Sequence, residues 1–175
     1  MSEHILEKFS RIRLLAFDLD GVLTNGKLDI QPNGEWTRQM DIKDGLALQL
    51  AVKNNFHVVV ISGSFSEPVS IRLKYLSLDH FFQKVASKSS KLLELMELYS
   101  LKQDQVLFMG DDLPDLDGFK VSGIKACPAD AVEEVKQLAD YISCKRGGDG
   151  CVRDVIEKVM KTQHKWNNSY SVKSI

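Results

Sequence analysis

Asp18 and Asp20 stand one residue apart where the apolar run Leu14-Leu15-Ala16-Phe17 ends, and Gly21 follows them. Two further polar clusters close apolar runs in the same manner: Ser62-Gly63-Ser64 and Gly110-Asp111-Asp112-Leu113-Pro114-Asp115. Each cluster alone would serve as a turn or helix cap, for which Asp and Ser are favoured. Their joint occurrence asks for another account. Carboxylates that converge repel one another unless a cation sits among them. Hard oxygen donors of this kind select Mg²⁺, which takes one or two carboxylates with water and substrate phosphate. Metal and phosphate therefore come as one expectation. The Ser62 hydroxyl and the Gly63 N–H would donate to phosphate oxygens, and a lysine would neutralise the remaining charge. Lys88, at the start of a helical segment, is the candidate for that lysine, and spacing leaves Lys84 and Lys91 as competitors.

The elements that must bring these clusters together are legible in the apolar pattern. Short apolar runs alternate with segments of helical period, the pattern of a parallel sheet with helices on its faces. Strands are predicted at Leu14–Leu19, His57–Ile61, Gln105–Met109, Ile124–Cys127 and Tyr141–Ser143. Helices are predicted at about Asp44–Asn54, Glu67–Leu76, Lys88–Tyr99, Pro114–Val121, Ala131–Leu138 and Cys151–Lys161. In such a sheet the strand ends share one edge, so residues roughly 40 to 90 apart in sequence meet there. Lys27–Ile30 and Glu35–Met40 interrupt the alternation and flank Gln31-Pro32-Asn33-Gly34, whose Pro and Asn-Gly chemistry predicts a β-hairpin. It leaves the sheet directly after the two acids.

With 175 residues, 43% hydrophobic, 27% charged and a formal net charge of -1, the chain suits one soluble domain. That domain is expected over residues 1–161, with the hairpin at about 27–40 and a polar, flexible tail over 162–175. No lysine- or arginine-rich block suggests nucleic acid or a membrane surface, and no apolar stretch approaches the ~20 residues of a membrane span. The N-terminus lacks the apolar core of a signal peptide, so a cytoplasmic protein is expected. Cys127, Cys144 and Cys151 are too few for a disulfide scaffold and lack metal-binding spacing. A calcium loop starting at Asp18 would need further alternate acids and a late Glu, and a nucleotide P-loop would need GxxxxGK[ST]; neither is present.

Asp18-Leu19-Asp20-Gly21-Val22-Leu23-Thr24, Ile61-Ser62-Gly63, Lys88 and Gly110-Asp111-Asp112-Leu113-Pro114-Asp115 match, in order, the motifs of the haloacid dehalogenase superfamily of phosphotransferases. The likeness extends over about Arg11 to Val159. Within it, the short hairpin in place of a cap domain, Asp41-Ile42-Lys43-Asp44-Gly45, and the late segment from Lys145 to Asp154 most resemble the capless 3-deoxy-D-manno-octulosonate 8-phosphate phosphatases. The resemblance implies a Rossmann-like three-layer α/β sandwich with a mostly parallel sheet. It implies Asp18 as the nucleophile that forms an aspartyl-phosphate, and Asp20 as the acid that protonates the leaving sugar oxygen and then activates water. It also implies Mg²⁺ held by the Asp18 carboxylate, the Asp20 backbone carbonyl and the Asp111 carboxylate, with Asp112 and Asp115 fixing metal-bound water.

The substrate implied is an acidic sugar phosphate of lipopolysaccharide precursor synthesis. Lys43, Asp44, Arg72 and Arg146 are candidates for contacting its carboxylate and hydroxyls, and the glycines around Arg146 are expected to make that segment mobile. Related capless phosphatases form tetramers, so the hairpin or C-terminal segment of a neighbouring subunit would close the site, with Glu35 and Trp36 at the interface. Ser64 stands where many relatives carry an arginine, and Asp149 replaces a basic residue. Both departures remove positive charge that an acidic sugar phosphate would welcome. The Glu35-Trp36 pair resembles phosphatases of the nine-carbon acid 3-deoxy-D-glycero-D-galacto-nononate 9-phosphate, whereas Lys43-Asp44-Gly45 favours the eight-carbon substrate. A non-catalytic assembly domain of the same fold would need neither nucleophile nor acid. A response-regulator-like phosphoacceptor would keep its phosphoaspartate, which an acid placed to activate water does not favour.

Overall fold

The computed structural model describes residues 4–78 and 80–166. In chain order the elements are α1 (Ile5–Arg11), β1 (Leu14–Phe17), β2 (Asp29–Ile30), β3 (Trp36–Thr37), α2 (Ile42–Lys53), β4 (His57–Ile61), α3 (Glu67–Tyr75) and β5 (Phe81–Phe82). They continue with α4 (Lys88–Leu98), β6 (Val106–Met109), α5 (Leu116–Phe119), β7 (Ile124–Cys127), α6 (Glu133–Leu138), β8 (Tyr141–Ile142) and α7 (Cys151–Thr162).

Side chains alternate across a strand, and the apolar run of β1 feeds both faces. Leu15 and Phe17 join a core covered by α1, α2, α3 and α7, while Leu14 and Ala16 join a second core covered by α4, α5 and α6. The result is three layers. The sheet runs β5-β4-β1-β6-β7-β8 with every pairing parallel. The chain therefore builds outward from β1 on one side, returns, and builds outward on the other. At such a switch the connections leave in opposite directions and open a crevice beyond the strands' carboxyl ends. Asp18 follows β1 and Gly110-Asp111 follows β6, so the two acidic clusters face each other across that crevice.

The five predicted strands are all present, and two elements escape the pattern. The two residues of β5 pair with Val60 and Ile61, too few to show a period. In α1 only Phe9 is buried, so no apolar stripe announces it. The hairpin pairs less than expected: Asp29 and Ile30 oppose Thr37 and Trp36, and a further bridge joins Thr24 to Met40. Both strands are exposed along their length, so burial does nothing to extend the ladder. Of the segment expected as a tail, Thr162 still belongs to α7 and Trp166 is buried against the core; residues 167–175 lie outside those described. No described helix is long and apolar enough to cross a membrane.

Candidate active site

Lys88 is the first residue of α4, where a cation meets the positive end of the helix dipole. That placement is unfavourable unless carboxylates offset it. The buried ammonium bridges Asp18 Oδ1, at 2.5 Å, and Asp115 Oδ1. The start of α4 is fixed independently: Asp117, from α5, accepts hydrogen bonds from the Ser89 N–H at 3.1 Å and from the Ser87 and Ser89 hydroxyls at 2.9 Å. The Ser89 backbone bond leads the effects that hold the Asp117 carboxyl down at about 2. Asp117 thus welds the lysine's helix to the helix that follows β6. No spacing rule singled it out.

The second oxygen of Asp115 accepts the Asp111 N–H at 2.8 Å and the Asp112 N–H at 3.2 Å, and the Asp112 carboxylate accepts the Leu113 N–H at 2.8 Å. These two residues hold the turn that presents Asp111. Gly21 completes the presentation: it adopts φ +97°, and a Cβ there would lie 2.0 Å from Asp111 Oδ2. Carboxylate oxygens of Asp18, Asp111 and Asp115 come within 4.8 Å of one another. Burial, then the charges of Asp115, Asp18 and Asp112, push the Asp111 carboxyl up to about 8. Burial and Asp115 raise Asp18 to about 6, against the pull of Lys88. Asp111 Oδ1 is buried with no hydrogen-bond partner. One lysine against three carboxylates and an orphaned oxygen is a donor set that fits a hard divalent cation such as Mg²⁺. Asp18 and Asp111 are the residues with oxygens to give, since both oxygens of Asp115 are engaged.

Asp20 lines the same cavity of about 240 Å³ as Asp18, Ser62, Gly63, Lys88 and Asp111. Its carboxylate is not one of the three that converge. It accepts Arg38 Nε at 2.6 Å and Nη2 at 3.0 Å, and the Ser64 hydroxyl at 3.0 Å. Sequence reasoning missed Arg38, because a single arginine in a polar hairpin strand has no spacing signature. Ser64, read as a lost positive charge, instead links Asp20 to Ser62, whose Oγ lies 2.9 Å from its own.

Residues 73–156 match the family model of the haloacid dehalogenase-like hydrolases. A 3-deoxy-D-manno-octulosonate 8-phosphate phosphatase of Salmonella typhi is 32% identical over 165 residues, covering 94% of this chain and 88% of the relative. The chain belongs to this phosphatase family of haloacid dehalogenase-like hydrolases. The crystal structure of the Yersinia pestis phosphatase of the same name matches with a TM-score of 0.90 at 27% identity, over 93% of this chain and 88% of that one. The Moraxella catarrhalis phosphatase, solved in complex with magnesium ion, phosphate ion and a KDO molecule, matches with a TM-score of 0.89 at 31% identity, over 93% and 94%.

In this haloacid dehalogenase-like hydrolase, the residues expected to meet the sugar acid are not brought into the Asp18 cavity of the same chain. Lys43 is exposed and lines a separate cavity of about 450 Å³ with Asp149 and Arg153. The Arg146 side chain is 72% exposed and pairs with Asp130 at 3.3 Å. Arg72 lies beside Gly45, whose added Cβ would stand 3.1 Å from its Nη2. The glycines near Arg146 serve close approach: a Cβ on Gly147 would lie 1.8 Å from the Gly21 carbonyl oxygen, and the Gly148 N–H donates to Val22 O at 2.9 Å. The segment expected to be mobile is seated on the loop that carries Asp18 and Asp20.

Asp44 is buried and caps a helix. Helix α7 starts after Gly150, which offers no side chain, and Asp44 Oδ1 reaches over from α2 to accept the Arg153 N–H at 2.7 Å. Burial pushes its carboxyl from 3.8 up to about 6. A carboxyl raised in the folded state contributes stability that is full below about 4 and lost as pH rises through about 6. Asp44→Asn keeps the accepting oxygen and removes the buried charge. Between pH 4.5 and 7.5, denaturant unfolding should show wild-type stability falling by about 2–3 kcal/mol more than that of the variant. Equal slopes for the two proteins would contradict a buried charge at Asp44.

Proposed function

We propose that this chain is a Mg²⁺-dependent phosphatase that hydrolyses 3-deoxy-D-manno-octulosonate 8-phosphate to the free sugar acid and phosphate, in cytoplasmic synthesis of lipopolysaccharide precursors. The observation that carries the reading is the pairing of a buried Asp18, held by Lys88, with the orphaned oxygen of Asp111 across the switch-point crevice. An Asp18 oxygen attacks phosphorus while the bond to the sugar oxygen breaks, and Asp20 gives that oxygen its proton. Asp20 then takes a proton from water, whose oxygen attacks phosphorus and restores the Asp18 carboxylate. The Ser62 hydroxyl, the Gly63 N–H and the Lys88 ammonium receive the phosphate oxygens, while Asp112 and Asp115 keep Asp111 in place. Asp18, Asp111 and the Asp20 carbonyl would hold Mg²⁺, which when bound would supply positive charge to offset that of the phosphate and the carboxylates. The free thiols of Cys127, Cys144 and Cys151 suit a reducing cytoplasm, and recovery of the protein outside it on cell fractionation would reverse that placement.

The cavity opens to solvent, and the hairpin is anchored at its base while its strands are exposed. A two-stranded ribbon is marginal by itself, and this one exposes Ile30 and Trp36, the latter at 57%. A homotetramer in which a neighbour's hairpin or C-terminal segment covers the cavity would satisfy both. Phosphate release should be measured on a panel of sugar acid phosphates with and without Mg²⁺, with particle mass read by light scattering on the same sample. The expected result is Mg²⁺-dependent release strongest on the eight-carbon acid from a particle of four chains. Preference for the nine-carbon acid would move the substrate, a monomer would remove the closure, and no release would promote the assembly-domain reading.

A further inference from the structure

Arg38 lies where the hairpin returns to the domain, just after β3 and two residues before Met40, whose bridge to Thr24 closes the ribbon. The ribbon strands are exposed, yet the Arg38 side chain is only 3% exposed. Its Nε and Nη2 grip both oxygens of Asp20, at 2.6 and 3.0 Å, and Nη2 reaches the Ser64 hydroxyl at 3.4 Å. The other side-chain bonds to Asp20 come from Ser64, at 3.0 Å, and Thr24, at a long 3.4 Å. A guanidinium fork on a carboxylate fixes the plane of the carboxylate as well as its position. Among the described residues no other group at Asp20 does that.

We propose that Arg38 is a positioning residue that orients the Asp20 carboxyl group: when the protonated acid gives its proton to the leaving oxygen, the guanidinium fork holds the carboxylate that remains. Because the arginine directly follows the hairpin's return strand, the geometry of the acid follows the order of the hairpin. Whatever seats the ribbon also aims Asp20. The inference rests on the phosphomonoesterase reading given above, and substrates that differ in their leaving group separate the two.

When the ester bond breaks, a sugar alkoxide needs a proton from Asp20, whereas p-nitrophenolate leaves as a stable anion without one. The ratio kcat/KM covers the steps up to phosphoryl transfer onto Asp18, so it isolates that event. Arg38→Gln should lower kcat/KM on the eight-carbon sugar phosphate by roughly 10²-fold, the scale of a misaimed catalytic group. On p-nitrophenyl phosphate the loss should stay within about threefold. Arg38→Lys, which keeps the charge but not the fork, should fall between wild type and Arg38→Gln on the sugar phosphate, and melting curves should show all three proteins folded at the assay temperature. Equal losses on both substrates would overturn the proposal in favour of a structural role. A loss carried only by KM for the sugar acid would overturn it in favour of a direct substrate contact. A wild type inactive on both phosphates would remove the phosphatase reading, and this inference with it.

Discussion

Asp18→Asn should abolish phosphate release from any phosphomonoester, by roughly 10⁴-fold or more, and leave the chain at least as stable as before. An amide has neither the charge nor the free electron pair to displace an alkoxide from phosphorus, so the covalent step has no substitute in this site. Stability moves the other way because of the company Asp18 keeps. It is one of three converging carboxylates, shares Lys88 with Asp115, and its carboxyl is raised to about 6 by burial and by Asp115. A raised carboxyl contributes stability that is full below about 4 and lost as pH rises through about 6, so at pH 7.5 the charge opposes folding. The amide retains an oxygen for Lys88 and removes that opposition. Phosphate release and thermal melting of metal-free protein at pH 7.5 check both halves. Residual release at a tenth of the wild-type rate would remove Asp18 as nucleophile, and a sharply lowered melting temperature would show that the loss of activity came from misfolding.

The parts of this molecule that were legible in the sequence are those in which one local signal coincides with one structural cause. The run Leu14–Phe17 reads as a strand buried on both faces, because a strand under helices carries apolar residues at successive positions and the run is too short for a buried helix. With parallel strands, the acidic clusters behind β1 and β6 had to share an edge. Lys88 was harder, since Lys84 and Lys91 competed on spacing; its position at the first residue of α4, behind the Ser87 cap, is a matter of where the helix starts. Groups that act across elements left no local trace. The sequence offers Asp44, at the start of α2, as a substrate contact, and has no sign that its Oδ1 accepts the N–H of Arg153, more than a hundred residues on. Arg38 and Asp117 reach their partners through tertiary packing, and residue type alone did not mark them.

Lys88→Met should destabilise the metal-free protein by about 3–5 kcal/mol at pH 8, as expected when one partner of a buried ion pair is removed and the other left behind. It should also lower phosphate release by about 10²–10³-fold, the scale of losing one preorganised group that stabilises transition-state charge. The thioether replaces the volume of the lysine stem, so the loss isolates the charge that holds Asp18 and Asp115 together. Those two partners raise the Lys88 pKa above its ordinary 10.5 against the effect of burial. Stability from a raised ammonium is full below its ordinary value and disappears only as pH rises through the folded one, so at neutral pH all of it is present and all of it is lost on substitution. The carboxylates left behind respond in their own sense. With Asp111 raised to about 8 and Asp18 to about 6 even beside the lysine, the variant's acids take up protons as pH falls, and its deficit should shrink between pH 8 and pH 5. Mg²⁺ should restore part of the missing stability at pH 8, because a cation bound only by the folded state stabilises it in proportion to the logarithm of its concentration over the dissociation constant. Melting curves across pH, with and without Mg²⁺, read each of these effects without requiring turnover. A variant that melts with the wild type at pH 8 in the absence of metal would mean that Lys88 is not the cation the acidic cluster is built around.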